Sequence, residues 1–268
     1  MRKFISLSLA LVLAACAQAT TQSPHVSSEE LAREQALQKQ IVQDEAKKTK
    51  VTSNTATPEM LKRLQRVAQP VHVAGMTICQ ELGISNCTFP FAIDNENTDV
   101  VNAYTDGKRV VVSPAMMNFA DTDDQLATVL AHEYAHAIMG HPQKSTQNAA
   151  IGGLLGMAVD SLANSQGMNT GGMFSKLGAQ GAVVKYSPGF EKEADYIGMY
   201  ILKRAGYDVN KAANLWRRMA AVNPDSIYVS TTHPTSAERY LLLEKTAAEI
   251  NAKQKAGKVL LPEFKPAE

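Results

Sequence analysis

Two histidines four residues apart, with a glutamate beside the first, are the residues of this 268-residue chain best placed to do chemistry: His132-Glu133-Tyr134-Ala135-His136. Residues four apart on a helix point from one face. His132 and His136 can therefore offer two imidazoles to one ion, and imidazole is a good zinc ligand. Glu133 sits on the same side of the site. Its carboxylate can take a proton from a water whose pKa zinc lowers from 15.7 toward about 7. It can later pass that proton to a leaving amine. The chemistry such a set supports is metal-assisted hydrolysis of an amide.

A catalytic zinc needs a third protein ligand and one open position. The long three-histidine metzincin pattern puts Gly three residues past the second histidine and His six past it. Met139 and Pro142 stand there, which excludes that arrangement. His141 lies close by, but it follows Gly140 at the helix end and is expected to point elsewhere. Downstream, Glu191-Lys192-Glu193-Ala194-Asp195 opens a second helix on which Glu191 and Asp195 share a face. Glu191 as third ligand and Asp195 as acceptor for a histidine N–H form a coherent set. Glu193 reads as an acidic first turn that complements the helix dipole. Ala194 and Gly198 are small enough to let this helix pack close to the histidine helix.

The elements that must position these groups are legible around them. Leu61, Leu64, Val67 and Ala68 repeat at helical spacing after Thr57-Pro58. Phe89 to Ile93, Val100 to Tyr104 and Arg109 to Ser113 read as strands, the last two joined at Asp106-Gly107, a strong hairpin signal. Thr122-x-x-Gln125 is a capping box, and Asp123 and Asp124 suit the positive end of a helix that runs to Ile138 and stops at Gly140 before Pro142. Residues 152 to 181, rich in Gly, Ala, Met and Ser, read as a helix plus a mobile loop. Further helices are expected over about 190 to 205, closed by Gly206, from Asn210 to Ala220, and over about 236 to 252 behind the capping box Thr235-x-x-Glu238. The strand Arg109 to Ser113 is expected to form the sheet edge beside the metal helix, where a peptide could add through main-chain hydrogen bonds.

With these motifs in place the sequence resembles the zinc metallopeptidase family of the CAAX prenyl endopeptidase, HtpX, BepA and LoiP type, in the form of a short LoiP-like bacterial lipoprotein. The resemblance rests on HEYAH with Glu-x-Glu-Ala-Asp-x-x-Gly (Glu191 to Gly198), on Asn102-Ala103-Tyr104, on Gly206-Tyr207-Asp208, and on Thr232-His233-Pro234 with Arg239. It covers about residues 57 to 250. It implies that His132, His136 and Glu191 bind one Zn²⁺ per chain, that Glu133 is the base, and that Asp195 orients a ligand. His233 would lie near the open zinc position, either stabilising the oxyanion or blocking the resting site. Arg239 would support that loop or a substrate carbonyl. The implied fold is α+β, a mainly helical zincin domain, gluzincin-like, with a small β-sheet carrying an edge strand beside the HExxH helix.

The chain ends and charge set the context. Arg2 and Lys3 precede the apolar stretch Phe4 to Leu13, too short to cross a hydrocarbon core of about 30 Å but suited to a secretory signal. Leu13-Ala14-Ala15-Cys16 resembles the lipobox of bacterial lipoproteins, with Cys16 as the acylated mature N-terminus. Ala17 rather than Asp after it implies sorting to the outer membrane. The expected organisation is a signal peptide over 1–15, lipidated Cys16 and a polar linker over 16–57, the peptidase domain over 58–255 and a tail over 256–268. In an oxidising compartment Cys79 and Cys87 could pair as a disulfide; two buried thiols are the alternative. A formal net charge of +1 gives no nucleic-acid footprint. The expected partners are unfolded or extended polypeptides and, through the lipid, a membrane; oligomeric state is left open. The function expected is a lipid-anchored periplasmic zinc metalloendopeptidase. The alternatives are a chaperone-like or binding lipoprotein with a latent or structural zinc site, and a zinc hydrolase acting on peptidoglycan cross-links.

Overall fold

A computed structural model describes residues 19–45, 55–176, 186–222, 233 and 236–265. Cys16 and the signal segment therefore lie outside the described residues, as do Thr232, Pro234 and Thr235. The described chain runs α1 (Ser28–Glu45), α2 (Pro58–Glu81), β1 (Phe91–Ile93), β2 (Ala103–Thr105), β3 (Val110–Val112), α3 (Pro114–Phe119), α4 (Asp123–Ile138), α5 (His141–Ser165), α6 (Pro188–Arg204), a 3₁₀ turn at Val209–Lys211, α7 (Ala212–Val222) and α8 (Ala237–Lys255). The fold is mainly helical and zincin-like, with one small mixed sheet.

The metal helix is α4. Thr122 caps it, accepting from the Gln125 N–H, and Asp123 and Asp124 occupy the first turn. Every residue from Leu126 to Ile138 is buried. A helix apolar or buried all round belongs at the centre of a domain. It packs on α2 and α6, with β2 and β3 along its flank. Asp123 fixes its start to α2 through Arg63 at 3.0 Å and Arg66 at 2.9 Å. Tyr134, two residues from each histidine, points away from them. Its ring packs on Phe89 and Phe91 over Gly75, where a Cβ would come within 2.5 Å of it. Its hydroxyl donates to the Cys87 carbonyl at 2.6 Å. Cys87 is bonded to Cys79 of α2, with Cα atoms 5.6 Å apart. Tyr134 thus sets the rotation of α4, so that both histidines face the opposite side.

The close approach of α6 to α4 falls at Gly198. A Cβ there would stand 3.2 Å from both the Cα and the N of His132. Glycine at this point lets the two helices touch backbone to backbone, which places Glu191 and Asp195 against the histidines.

The structure departs from the expected sheet edge, the expected polar spacer and the expected cap of the last helix. The sheet order is β1-β3-β2, so β3 is the central strand, parallel to β1 and antiparallel to β2. The edge strand beside the metal helix is β2. Val110 N–H donates to Pro90 and the Val112 carbonyl accepts from Asp94 N–H, which commits these groups to β1. Alternation along β2 then turns the main-chain groups of Ala103 and Thr105 outward.

Within the stretch read as a polar linker, α1 docks on α7 and α8. Its Glu34 is buried and takes a two-pronged bond from Arg217, both contacts 2.6 Å. The pairing compensates a charge that a polar composition would leave in water. The tail likewise returns to the core: Leu260, Leu261 and Phe264 pack on it. Finally, the cap of α8 is Ser236, one residue past the expected position, while α5 supplies the helix expected within residues 152–181, running through Ser165.

Candidate active site

Four ligand-type side chains converge where α4, α6 and the segment before α8 meet. One ligand atom each from His132, His136, Glu191 and His233 lies within 4.8 Å of the others, and all four residues are buried. His132 Nε2 and His136 Nε2 are 3.1 Å apart. Glu191 Oε2 is 3.6 Å from His132 Nε2, and Oε1 is 3.4 Å from His136 Nε2. His233 Nδ1 lies 2.9 Å from Glu191 Oε1 and 3.3 Å from His132 Nε2.

The remaining groups support this ring from outside. Asp195 Oδ1 stands 2.9 Å from His132 Nδ1. Arg239 donates to both oxygens of Asp195, at 2.6 and 2.8 Å, and reaches Glu191 Oε2 at 2.7 Å. Its guanidinium also lies over the Trp216 ring, which in turn lies against His132. Arg239 is 3% exposed. It braces two carboxylates, Glu191 and Asp195. Glu133, on the opposite side of the ring, has Oε1 3.3 Å from His233 Nε2, and its Oε2 is buried without a hydrogen-bond partner among the described residues.

Electrostatics separate the roles of the two glutamates. Burial pushes Glu191 up, but Arg239 and the surrounding histidines outweigh it and hold its carboxyl well below the usual carboxylate range. It is an anion suited to ligation. Burial raises Glu133, and its charged neighbours do not bring it back. A carboxylate with a raised pKa is suited to accept and release a proton. Burial drives His136 well below its ordinary value, so it presents a neutral imidazole. His132 responds differently: burial lowers it, yet Asp195 and Glu191 raise it to about 9.

These residues fit a divalent metal. Two imidazole nitrogens 3.1 Å apart, with carboxylate oxygens 3.4 and 3.6 Å from them, are spaced as donors about 2.0–2.2 Å from one shared ion would be. The cluster sets three buried carboxylates, Glu133, Glu191 and Asp195, against the buried guanidinium of Arg239, an acidic balance that suits a cation. Imidazole and carboxylate donors match zinc.

Fold and ligand set together define a zinc metallopeptidase: a buried HExxH helix with a glutamate from a second helix beside its two histidines. The chain belongs to peptidase family M48, whose family model matches residues 60–247. It is 31% identical over 163 residues to the beta-barrel assembly-enhancing protease of Yersinia pestis, covering 56% of this chain and 33% of that protein. It is 32% identical over 152 residues to the mitochondrial metalloendopeptidase OMA1 of Schizosaccharomyces pombe, covering 55% of this chain and 44% of that one. Against the beta-barrel assembly-enhancing protease of Escherichia coli K12 the identity is 26% over 149 residues, 53% of this chain and 30% of the relative. The chain thus matches 30 to 44% of the length of these relatives.

The structure adds three residues beside the ligand-type side chains, two of them fully buried and Tyr186 partly so. Glu193 does not face solvent at the start of α6; it is fully buried. His141 is also fully buried, with Nδ1 2.8 Å from His136 Nδ1 and Nε2 2.9 Å from Glu193 Oε2. Tyr186 stacks on His136, ring centroids 4.1 Å apart, and its hydroxyl donates to the outward Thr105 carbonyl at 3.4 Å. Nothing in its sequence neighbourhood marks it.

Proposed function

We propose that this chain is a zinc metalloendopeptidase of the cell envelope, a short LoiP-like lipoprotein that cuts misfolded or extended polypeptides and rests with His233 closing its site. The observation that carries the reading is the ring of His132, His136 and Glu191 with Glu133 beside it. His132, His136 and Glu191 would hold one zinc ion, which would supply Lewis acidity toward water and a peptide carbonyl. Glu133 is placed to hold a proton at its carboxylate, taken from the attacking water and returned to the amine as the peptide bond breaks. Asp195 and Arg239 keep His132 and Glu191 oriented.

Extended backbone is the favoured substrate because the outward groups of β2 are main-chain groups. A peptide adding there is selected for an accessible backbone more than for sequence. The Tyr186 hydroxyl on Thr105 marks the edge nearest the ligands. Folded proteins have few free strands to offer, so the reading favours unfolded envelope proteins. Periplasmic placement at the outer membrane rests on the lipobox-like Leu13-Ala14-Ala15-Cys16 and on Ala17. It is supported by likeness to bacterial proteases named for beta-barrel assembly.

A second reading has one observation in its favour. With His233 Nδ1 in the ring the site has four protein donors, the number found in structural zinc sites. On that reading the protein is a binding or chaperone-like lipoprotein with a latent centre. Purified full-length chain decides between them. The protease reading expects one zinc per chain, cleavage of casein, loss of cleavage with a chelator and its return with zinc. A Glu133→Gln variant that fully restores a deletion strain would instead favour the binding reading. Digestion of murein but not casein would support the peptidoglycan alternative. Labelled palmitate incorporated into wild type and absent from Cys16→Ser tests the anchor.

A further inference from the structure

The proposed reaction leaves His141 and Glu193 without a task, although both are fully buried beside it. They form one continuous line of polar contacts. It begins on His136, whose Nε2 faces the ligand ring and whose Nδ1 lies 2.8 Å from His141 Nδ1. His141 Nε2 lies 2.9 Å from Glu193 Oε2. Glu193 Oε1 then accepts from three donors of the N-terminal segment: the Thr20 N–H, the Thr20 hydroxyl at 2.8 Å and the Thr21 N–H at 2.9 Å. Phe190 stacks on the His141 ring with centroids 4.4 Å apart and planes at 13°. Gly140, at φ 65°, makes the turn that brings His141 back beside His136.

The order of donors along this line has one solution. A histidine that ligates through Nε2 keeps its proton on Nδ1. His136 Nδ1–H therefore donates to His141 Nδ1, which must carry a lone pair. His141 then holds its proton on Nε2 and donates it to Glu193. The carboxylate closes the line, because it is the one group that accepts from both ends. A carboxylate behind a ligating histidine is a familiar way to fix tautomer and ring pose. Asp195 does this directly for His132; for His136 the carboxylate acts through a second histidine.

What terminates the line is the strap at residues 19–22. Thr21 pairs with Phe264 in an antiparallel bridge, Gln22 N–H donates to the Glu263 carbonyl at 2.9 Å, and Lys265 N–H donates to the Thr20 carbonyl at 2.9 Å. The strap is thus held by the C-terminal tail on one side and by Glu193 on the other. Thr20 stands four residues after Cys16. Four extended residues reach at most about 14 Å, so an anchored Cys16 would lie close to the clamp.

The geometry points to His141 and Glu193 as positioning residues for the zinc ligand His136, with the Thr20–Thr21 strap as the outer clamp that completes them. Docking of the strap and binding of zinc are then coupled, each favouring the other, as linkage requires. The inference rests on the zinc-peptidase reading above and adds a regulator to the same site: the segment nearest the membrane anchor.

The test uses full-length chain and Zn²⁺ alone, competed against a chromophoric chelator. Absorption spectra of the Co²⁺-substituted protein report ligand geometry. Glu193→Gln puts an amide NH₂ where only an acceptor fits, and Thr20→Val removes one of the three strap donors. Zinc affinity is expected to fall by about 10- to 100-fold in Glu193→Gln and by a smaller factor in the same direction in Thr20→Val. The cobalt spectrum should shift in Glu193→Gln. Amide hydrogen exchange at residues 19–22 should slow on zinc loading in wild type and not in Glu193→Gln. If both variants keep wild-type zinc affinity and spectrum, the clamp is overturned, even when Glu193→Gln melts at a lower temperature. If Glu193→Gln does not fold, an unchanged affinity in Thr20→Val overturns it. A wild-type chain that takes up no zinc overturns the protease reading and this inference together, a result distinct from variants that match a zinc-loaded wild type.

Discussion

His233 Nε2 lies 3.3 Å from Glu133 Oε1, so the residue that would supply a fourth ligand also touches the carboxylate that would act as base. Its other nitrogen is 2.9 Å from Glu191 Oε1, inside the ligand ring. On the reading proposed above, one side chain therefore stands in the ligand ring and engages the group that would act as base, which is the arrangement of a resting site.

If His233 closes the site, removing it should expose the centre. His233→Ala is expected to keep stoichiometric zinc on three ligands and to cleave casein several-fold faster than wild type. Oxyanion stabilisation predicts the opposite sign, a loss of about 10²- to 10³-fold in kcat. Initial rates at matched zinc content read the sign directly.

Arg239 bonds both Asp195 and Glu191 and braces them from 3% exposure. Removing one member of a buried ionic set leaves uncompensated charge and costs about 3–5 kcal/mol. Arg239→Met is expected to lower stability by that order in the metal-free protein, with less loss once zinc is bound. Lysine should not rescue it, because a single ammonium cannot make the two-pronged contact. Urea unfolding with and without zinc measures both effects.

Gly198 sits where α6 meets the backbone of His132. Gly198→Val inserts a branched side chain into a gap that barely accommodates a Cβ. Overpacking of this kind costs about 1–3 kcal/mol, and it should also weaken zinc binding by moving Glu191 off the histidines. Thermal unfolding and zinc competition would show the two losses together.

The fastening of α4 to α2 carries a pH signature. Burial raises the Asp123 carboxyl, but Arg66 and Arg63 outweigh it and hold it below its ordinary value. A depressed folded-state pKa contributes stability that is complete above the unfolded value, about 3.9, and is lost as pH falls through the folded value. The pair is partly exposed, so the contribution is on the order of 1 kcal/mol or less. Asp123→Asn should be less stable than wild type by urea unfolding at pH 7, and the gap should narrow at pH 3.

Most of the metal centre was legible in the sequence because helical spacing alone brings His132 to His136 and Glu191 to Asp195. Gly198 carried the further hint that the two helices touch. Sheet order was not legible: the hairpin at Asp106-Gly107 pairs β2 with β3, but nothing local says that β1 adds to the far side of β3 and leaves β2 as the edge. Glu193 and His141 escaped for a related reason. An acid in a first helical turn and a histidine after a glycine both suit solvent, and only the tertiary packing of α5 and the residue 19–22 strap makes them partners. The same packing explains α1, whose polar composition hid a docked helix because Glu34 is buried against Arg217 rather than against apolar residues.

The central claim is that Glu133 performs the proton transfer at a zinc centre built by His132, His136 and Glu191. The most direct measurement compares casein cleavage by zinc-loaded wild type and Glu133→Gln, with metal content determined on the same samples. The account predicts one zinc per chain in both and a loss of at least about 10²-fold in the variant, the scale of a missing general base. Equal zinc content with equal cleavage would contradict it.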